Sequence, residues 1–278
     1  MKQLLKLAVL GQDNIAKYSL SPLIHNTFLN DNNINGEYIA IPVLPENIGE
    51  ELKKLQKDGY TGVNLTIPHK INAIKFLDSL DDTASKIGAV NTILFKDNKM
   101  IGYNTDCYGF IENLNRNIPD WRSRDKVLVI GAGGATRAIL YALKKEKVNN
   151  ITIVNRTLEK AQKLAEEFAC NFDKLENINN IISSKNLIIN TTSAGMNGIN
   201  DLNIDFTKSS KDTIVYDIIY TPLSTSILTE AQKFNLKNIN GLGMLLLQAE
   251  KAFEIWLSIK PKITDNLIKN CIEMLKWK

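Results

Sequence analysis

The chain has 278 residues, enough for one large domain or two ordinary ones. With 44% hydrophobic and 23% charged residues it has a globular composition, which excludes disorder, collagen and coiled coil, and its net charge of +4 is spread without a basic block that would demand nucleic acid or an anionic membrane. Cys107, Cys170 and Cys271 are odd in number, far apart and without a C-x-x-C pair, which argues against a disulfide framework and a zinc site and fits a reducing cytosol.

No run reaches the roughly 18 apolar residues of a membrane helix. The basic and apolar start, Met1 to Leu10, is interrupted by Lys6 and followed by Gly11-Gln12-Asp13-Asn14 where a leader would have small residues, so Leu4 to Leu10 reads as a strand. Tyr38 to Val43 and Gly62 to Ile67 are further strands. Between them Ser21-Pro22 predicts a helix start with Ser21 as cap, and Pro45 to Lys57 has apolar residues at helical spacing. Val90 to Phe95 and Lys99 to Gly102 flank Lys96-Asp97-Asn98, a predicted hairpin.

The alternation restarts at Lys126. Val127 to Ile130, Ile151 to Val154, Leu187 to Asn190 and Thr213 to Ile219 are predicted strands, with helices over Ala135 to Lys145 and Leu158 to Phe168. Such alternation predicts a second parallel sheet covered by helices. Gly241 to Trp256 is apolar enough for a buried helix, and Asp265 to Trp277 has an amphipathic helical pattern.

Gly131-Ala132-Gly133-Gly134-Ala135-Thr136 follows a predicted strand and opens a helix, the setting in which backbone N–H groups and a helix N-terminus receive a pyrophosphate. Thr136 breaks the third glycine of G-x-G-x-x-G, so the placement carries more weight than the spacing. After the next strand, where an NAD site presents Asp or Glu to the ribose, the chain has Asn155-Arg156-Thr157. A guanidinium there suits a 2′-phosphate, which predicts NADP as cofactor. Lys160, one turn on, is equally readable as a second positive charge or a solvated lysine.

In the first half Ser19 and Ser21 put two hydroxyls at a helix mouth, suited to a carboxylate, although simple capping explains Ser21 as well. Asn64 and Thr66 alternate with apolar Leu65 and Ile67 on a strand ended by Pro68, with Lys70 beyond its carboxyl edge, a candidate general acid or base. Asn91-Thr92 and Asn104-Thr105-Asp106 are polar clusters in apolar surroundings, and Asp106 is also readable as a cap for a helix over Cys107 to Arg116. His25 and His69 lack metal-ligand companions and read as ordinary helix residues.

Taken in order, Ser19-Leu20-Ser21-Pro22, Asn64-x-Thr66-x-Pro68-x-Lys70, Ala89-Val90-Asn91-Thr92, Asn104-Thr105-Asp106, Gly131 to Ala135, Asn155-Arg156-Thr157, and Gly241-Leu242-Gly243-Met244 with Gln248 give the chain a resemblance to the shikimate dehydrogenase family along nearly its whole length. The resemblance implies a two-domain α/β architecture: a substrate domain from 1–105 and 241–278, completed by C-terminal helices, and an inserted Rossmann-like NADP-binding domain at 106–240. It implies NADPH-dependent, reversible reduction of 3-dehydroshikimate to shikimate in aromatic amino-acid biosynthesis, with no metal. Lys70 and Asp106 would be the catalytic pair, and Ser19, Ser21, Asn64, Thr66, Asn91 and Gln248 would bind substrate. Gly131, Ala132, Gly133, Gly134, Ala135, Asn155, Arg156, Thr157, Lys160, Thr191, Tyr220, Gly241 and Met244 would serve the cofactor.

The chain departs from the family at Tyr18, where His is frequent, at Cys107, where Gly is common, and at Lys160, where a second Arg often stands. Quinate or dual quinate/shikimate dehydrogenation stays open, as does a non-catalytic NADP-binding regulator, whose expected mark, loss of Lys70 or Asp106, is missing. Glutamyl-tRNA reductase is disfavoured, since neither a nucleophilic cysteine nor a tRNA-binding helical region is evident. Monomer and homodimer are both open.

Overall fold

Why the first strand is apolar on both faces becomes clear from its neighbours. The structure, a computed structural model, describes residues 4–196 and 201–276. Its contacts divide the chain into two compact units, Met1–Gly109 with Leu246–Lys278, and Phe110–Leu245.

In the first unit the elements are β1 (Leu5–Gly11), α1 (Ile15–Tyr18), α2 (Ser21–Asp31), β2 (Gly36–Pro42), α3 (Ile48–Lys57), β3 (Gly62–Leu65), α4 (His69–Asn72), β4 (Ser79–Leu80), α5 (Asp82–Ile87), β5 (Thr92–Lys96) and β6 (Lys99–Tyr103). The sheet order is β2-β1-β3-β5-β6-β4. β1 is parallel to both its neighbours, whereas β3–β5 and β5–β6 are antiparallel. Asp97 and Asn98 turn the β5–β6 hairpin with φ of 50° and 57°, the paired positive values that match a turn to the twist of its strands. Because side chains alternate along β1, Ala8 and Leu10 pack with Leu52 and Leu55 of α3 on one face. Leu7 and Val9 pack on the other with Tyr38 and with Ala252 and Trp256 from the far end of the chain. The C-terminal segment is thus needed to cover the first sheet.

Next come α6 (Asp106–Asn117), β7 (Lys126–Ile130), α7 (Gly134–Lys145), β8 (Asn150–Asn155), α8 (Leu158–Phe168), β9 (Asn171–Lys174), α9 (Ile178–Ile181), β10 (Leu187–Asn190), β11 (Ile214–Asp217), α10 (Ser226–Lys233), β12 (Lys237–Ile239), α11 (Leu242–Leu257) and α12 (Asp265–Lys276). The second sheet is wholly parallel, ordered β12-β11-β10-β7-β8-β9. Numbered from β7, that is the doubly wound order of dinucleotide-binding sheets, reversing direction between β7 and β10. Leu128, Ile130, Val154, Ile188 and Val215 fill one face with Ile227 and Leu228 of α10, and the alternate residues Val127, Val129, Ile151, Ile153 and Ile189 are buried as well, which explains the near-continuous apolar runs of these strands.

The division between units falls inside α6 and α11, so the second unit, Phe110–Leu245, is offset by a few residues from the expected insertion at 106–240. Several local expectations are corrected. The strand expected over Gly62 to Ile67 ends at Leu65, leaving Thr66 beyond it, and the one expected over Thr213 to Ile219 covers only Ile214–Asp217. Ser21 is the first residue of α2 rather than its cap, and its amide donates instead to Ser19 Oγ at 3.2 Å. Of the last predicted helix, Trp277 lies outside the described residues.

Candidate active site

The carboxyl end of β3 delivers the chain straight into α4, and there Lys70 Nζ donates to Asp106 Oδ2 at 2.6 Å. Asp106 opens α6, but capping is not what its carboxylate does. Its amide donates to Asn104 Oδ1 at 3.0 Å, and Oδ1 of the carboxylate accepts from Asn91 Nδ2 at 2.9 Å. The Asp106 side chain is 6% exposed and that of Lys70 16%, so the pair is largely withdrawn from water. A backbone bond from Val90 N to Lys70 O at 2.7 Å ties the lysine's helix to the Asn91 segment.

Asn91 is the hub. Its Nδ2 also faces Thr105 Oγ1 at 2.9 Å and Gln248 Oε1 at 3.2 Å, while its Oδ1 accepts from Thr105 N at 2.8 Å and Thr92 Oγ1 at 3.0 Å. Asn64 joins by donating from Nδ2 to Thr92 Oγ1 and to Asn91 O. Five of the predicted residues, Lys70, Asp106, Asn91, Asn64 and Gln248, therefore form one hydrogen-bonded cluster. Thr92 and Thr105 are buried members of it that were noticed only as part of polar stretches.

The remaining predicted substrate residues lie elsewhere in this unit. Ser19 and Ser21 are buried at the start of α2, bonded as described above. Thr66 turns its methyl group toward Gly11, and its amide donates to Leu10 O at 3.0 Å.

In the second unit the glycine turn joins β7 to α7. Gly131 has φ +113°, a value that side-chain-bearing residues rarely adopt, and a Cβ there would lie 2.5 Å from Thr191 Oγ1. Thr136, the residue that breaks the glycine pattern, is fully buried and stabilises the turn: Gly133 N donates to its Oγ1 at 2.9 Å. Thr191 Oγ1 gives its proton to Ile130 O at 2.7 Å, so the 2.7 Å contact between the two hydroxyls must run from Thr136 to Thr191. A Cβ on Gly133, by contrast, would meet nothing within 4 Å. Gly133 is exposed and Ala132, Gly134 and Ala135 half-buried, which leaves room above the N-terminus of α7 for a phosphate group.

At the end of β8, Asn155 Nδ2 donates to Thr157 O at 2.9 Å, bending the chain so that Arg156 is exposed, as is Lys160 on the first turn of α8. No carboxylate stands among these three loop residues. Tyr220 lies on the loop after β11, whose shape depends on a residue sequence reasoning missed. Asp217, fully buried, accepts from Asn190 Nδ2 at 3.0 Å, Ile219 N at 3.0 Å and Thr225 Oγ1 at 2.6 Å, and burial pushes its pKa up. Gly241 donates its amide to Ile219 O at 2.9 Å, and a Cβ on it would collide with the Ile218 carbonyl. Met244 is buried near the start of α11.

Among the described residues no group of three or more His, Cys, Asp or Glu is placed to hold a metal ion, and no helix is long and apolar enough to cross a membrane. A parallel doubly wound unit with a glycine turn, together with a unit holding a withdrawn Lys–Asp pair among amides, has the parts of a nicotinamide-dependent oxidoreductase.

Comparison with known proteins makes this specific. Residues 9–93 match the model of the shikimate dehydrogenase substrate binding domain, and residues 113–242 that of shikimate / quinate 5-dehydrogenase. Shikimate dehydrogenase (NADP(+)) of Brucella ovis is 42% identical over 259 residues, covering 90% of this chain and 89% of the relative. That of Bartonella henselae is 43% identical over 260 residues, covering 90% and 87%. The crystal structure of shikimate 5-dehydrogenase from Thermus thermophilus, in complex with NADP(H) and shikimate, superposes with a TM-score of 0.85 at 33% identity, covering 99% of both chains. The chain belongs to the shikimate dehydrogenase family.

Proposed function

We propose that the protein catalyses the reversible, NADPH-dependent reduction of 3-dehydroshikimate to shikimate, a step of aromatic amino-acid biosynthesis. The observation that carries the chemistry is the 2.6 Å contact of Lys70 Nζ with Asp106 Oδ2 inside a cluster of buried amides and hydroxyls. The first unit is the substrate-binding half on this reading, and the second the cofactor-binding half.

The second unit fits NADP. The unfilled space over Gly133 and the N-terminus of α7 suit the pyrophosphate, with Gly131, Ala132, Gly134 and Ala135 supplying the turn and Thr191 bracing it. Arg156, flanked by Asn155 and Thr157, suits a 2′-phosphate, with Lys160 as a second cation. Tyr220, Gly241 and Met244 are assigned to the nicotinamide end. When bound, NADPH supplies a hydride to the ketone carbon.

Reduction of a ketone builds negative charge on its oxygen, and Lys70 Nζ is the group assigned to give that oxygen a proton. Asp106 Oδ2 holds Nζ in place, and Asn91 Nδ2 holds the carboxylate through Oδ1. In the oxidising direction the same pair takes the hydroxyl proton. Asn64, Asn91, Thr66 and Gln248 present amides and a hydroxyl suited to the ring hydroxyls, and Ser19 and Ser21 present hydroxyl donors suited to the carboxylate. Withdrawal of the pair from bulk water strengthens each of these interactions.

The test is NADPH formation by the purified protein with NADP+ and shikimate, set beside quinate as alternative substrate. Rapid turnover of shikimate with little on quinate is expected. Turnover of neither refutes the reading, and a preference for quinate moves it to the alternative substrate.

A further inference from the structure

Tyr38 has no part in the chemistry above, yet an unbroken line of hydrogen bonds leads from it to the reacting pair. It lies on β2, 1% exposed, with its ring stacked on His25 at 4.3 Å between centroids and 11° between planes, and with Trp256 packed against both. Its phenolic oxygen donates to Asn64 Oδ1 at 2.7 Å.

The later bonds continue from that one, with backbone groups sharing in their direction. With Oδ1 of Asn64 turned to the phenol, Nδ2 must face the other way, where it donates to Asn91 O at 3.1 Å and Thr92 Oγ1 at 3.0 Å. Thr92, accepting there, sends its own proton to Asn91 Oδ1 at 3.0 Å. Thr105 N donates to the same oxygen at 2.8 Å, and with Oδ1 held by these two donors Nδ2 of Asn91 points at Asp106 Oδ1, where it donates at 2.9 Å. A reversed Asn91 amide would set its carbonyl against the carboxylate, two acceptors facing each other without a proton between them. All the residues in the line are buried, so water cannot readily replace a missing donor.

We propose that Tyr38 is a positioning residue for the reaction, its phenolic proton holding the Asn64 amide and, through Thr92, reinforcing the orientation of the Asn91 amide that braces Asp106 against Lys70. The proposal rests on the reading of Lys70 and Asp106 as the reacting pair. It differs from a packing role, because the ring alone would satisfy the aromatic cluster.

Tyr38→Phe keeps the ring and deletes only the proton. In shikimate-dependent NADPH formation it is expected to lower kcat about 5- to 50-fold, the worth of a buried hydrogen bond that aligns a catalytic group, with KM for NADP+ unchanged. Thr92→Val breaks the same line nearer Asp106 and is expected to show a similar loss. The double variant should be no slower than the slower single variant, since both cut one line, whereas unrelated structural defects would multiply. A folded Tyr38→Phe protein with kcat within twofold of the unaltered protein, or multiplying losses in the double variant, overturns the proposal. Should Tyr38→Phe fail to fold, Thr92→Val is set beside Thr92→Ser, which keeps the hydroxyl and should keep the rate, and a folded Thr92→Val protein with kcat within twofold of the unaltered one overturns the proposal. The rate of the unaltered protein with shikimate judges the functional reading, and the ratio of variant to unaltered rate judges Tyr38, so the two failures are distinct.

Discussion

Replacing Lys70 with alanine removes the ammonium in contact with Asp106 and separates the chemical from the structural role of the pair. If Nζ is the proton donor, the loss is that of general acid or base catalysis, about 10²- to 10⁴-fold in kcat, or roughly 3–5 kcal/mol of barrier. Removing one partner of a fully buried ion pair costs about 3–5 kcal/mol of stability. Here the cost is smaller, because Asp106 Oδ1 keeps its bond from Asn91 and the 16% exposure of Lys70 lets water reach the vacated place. An expected loss of about 1–3 kcal/mol leaves a typical domain folded, with a melting temperature lowered by roughly 2–10 °C. On the proposed reading the nucleotide site belongs to the other unit, so affinity for NADPH should hold. The assays are steady-state NADPH formation with shikimate, thermal denaturation, and titration of NADPH fluorescence. A folded variant that binds NADPH and turns over within tenfold of the unaltered rate would refute the assignment of Lys70.

Four further outcomes follow from particular positions. Gly133→Ala should leave the melting temperature unchanged and weaken NADPH binding at least about tenfold, because its Cβ meets no protein atom and would enter the space assigned to phosphate. Gly131→Ala should instead lose about 1–3 kcal/mol of stability from its positive φ and its contact with Thr191; wild-type NADPH affinity in Gly133→Ala contradicts the phosphate placement. Arg156→Ala should raise KM for NADPH by the equivalent of about 1–3 kcal/mol while sparing NADH, and unchanged discrimination between the two rejects its role. Burial lowers the pKa of His25 from its ordinary 6.5 to about 3. As pH falls below 6.5 the unfolded chain takes up a proton that the folded one does not, so stability is lost toward pH 3 at up to about 1.4 kcal/mol per pH unit. Urea denaturation at pH 7, 6 and 5 should show a shallower decline in His25→Phe, and equal declines would count against a neutral buried imidazole.

Period and composition made the long apolar strands and amphipathic helices legible, since β1, β7, β8 and α7 each bury enough of their own surface to leave a pattern. β9 (Asn171–Lys174) and β12 (Lys237–Ile239) were not legible. They are short and mostly exposed strands at the two ends of their sheet, held by backbone bonds to a neighbour rather than by apolar side chains of their own. Thr136 shows the same limit at a site. On the sequence it weakens a glycine motif, and in the fold its hydroxyl is what holds Gly133 and Thr191 together.

Residue order alone determined the family, the two α/β halves, the glycine turn, the absence of an acid beside Arg156, and the presence of Lys70 and Asp106. Those features are local, or follow from motifs met in a fixed order. Only the tertiary structure decided what the polar residues do to one another: that Asp106 braces Lys70 instead of capping α6, and that Tyr38 is joined to Asp106 through Asn64, Thr92 and Asn91. Hydrogen bonds between residues tens of positions apart leave no periodic trace along the chain, because their partners are chosen by where the strands end in space.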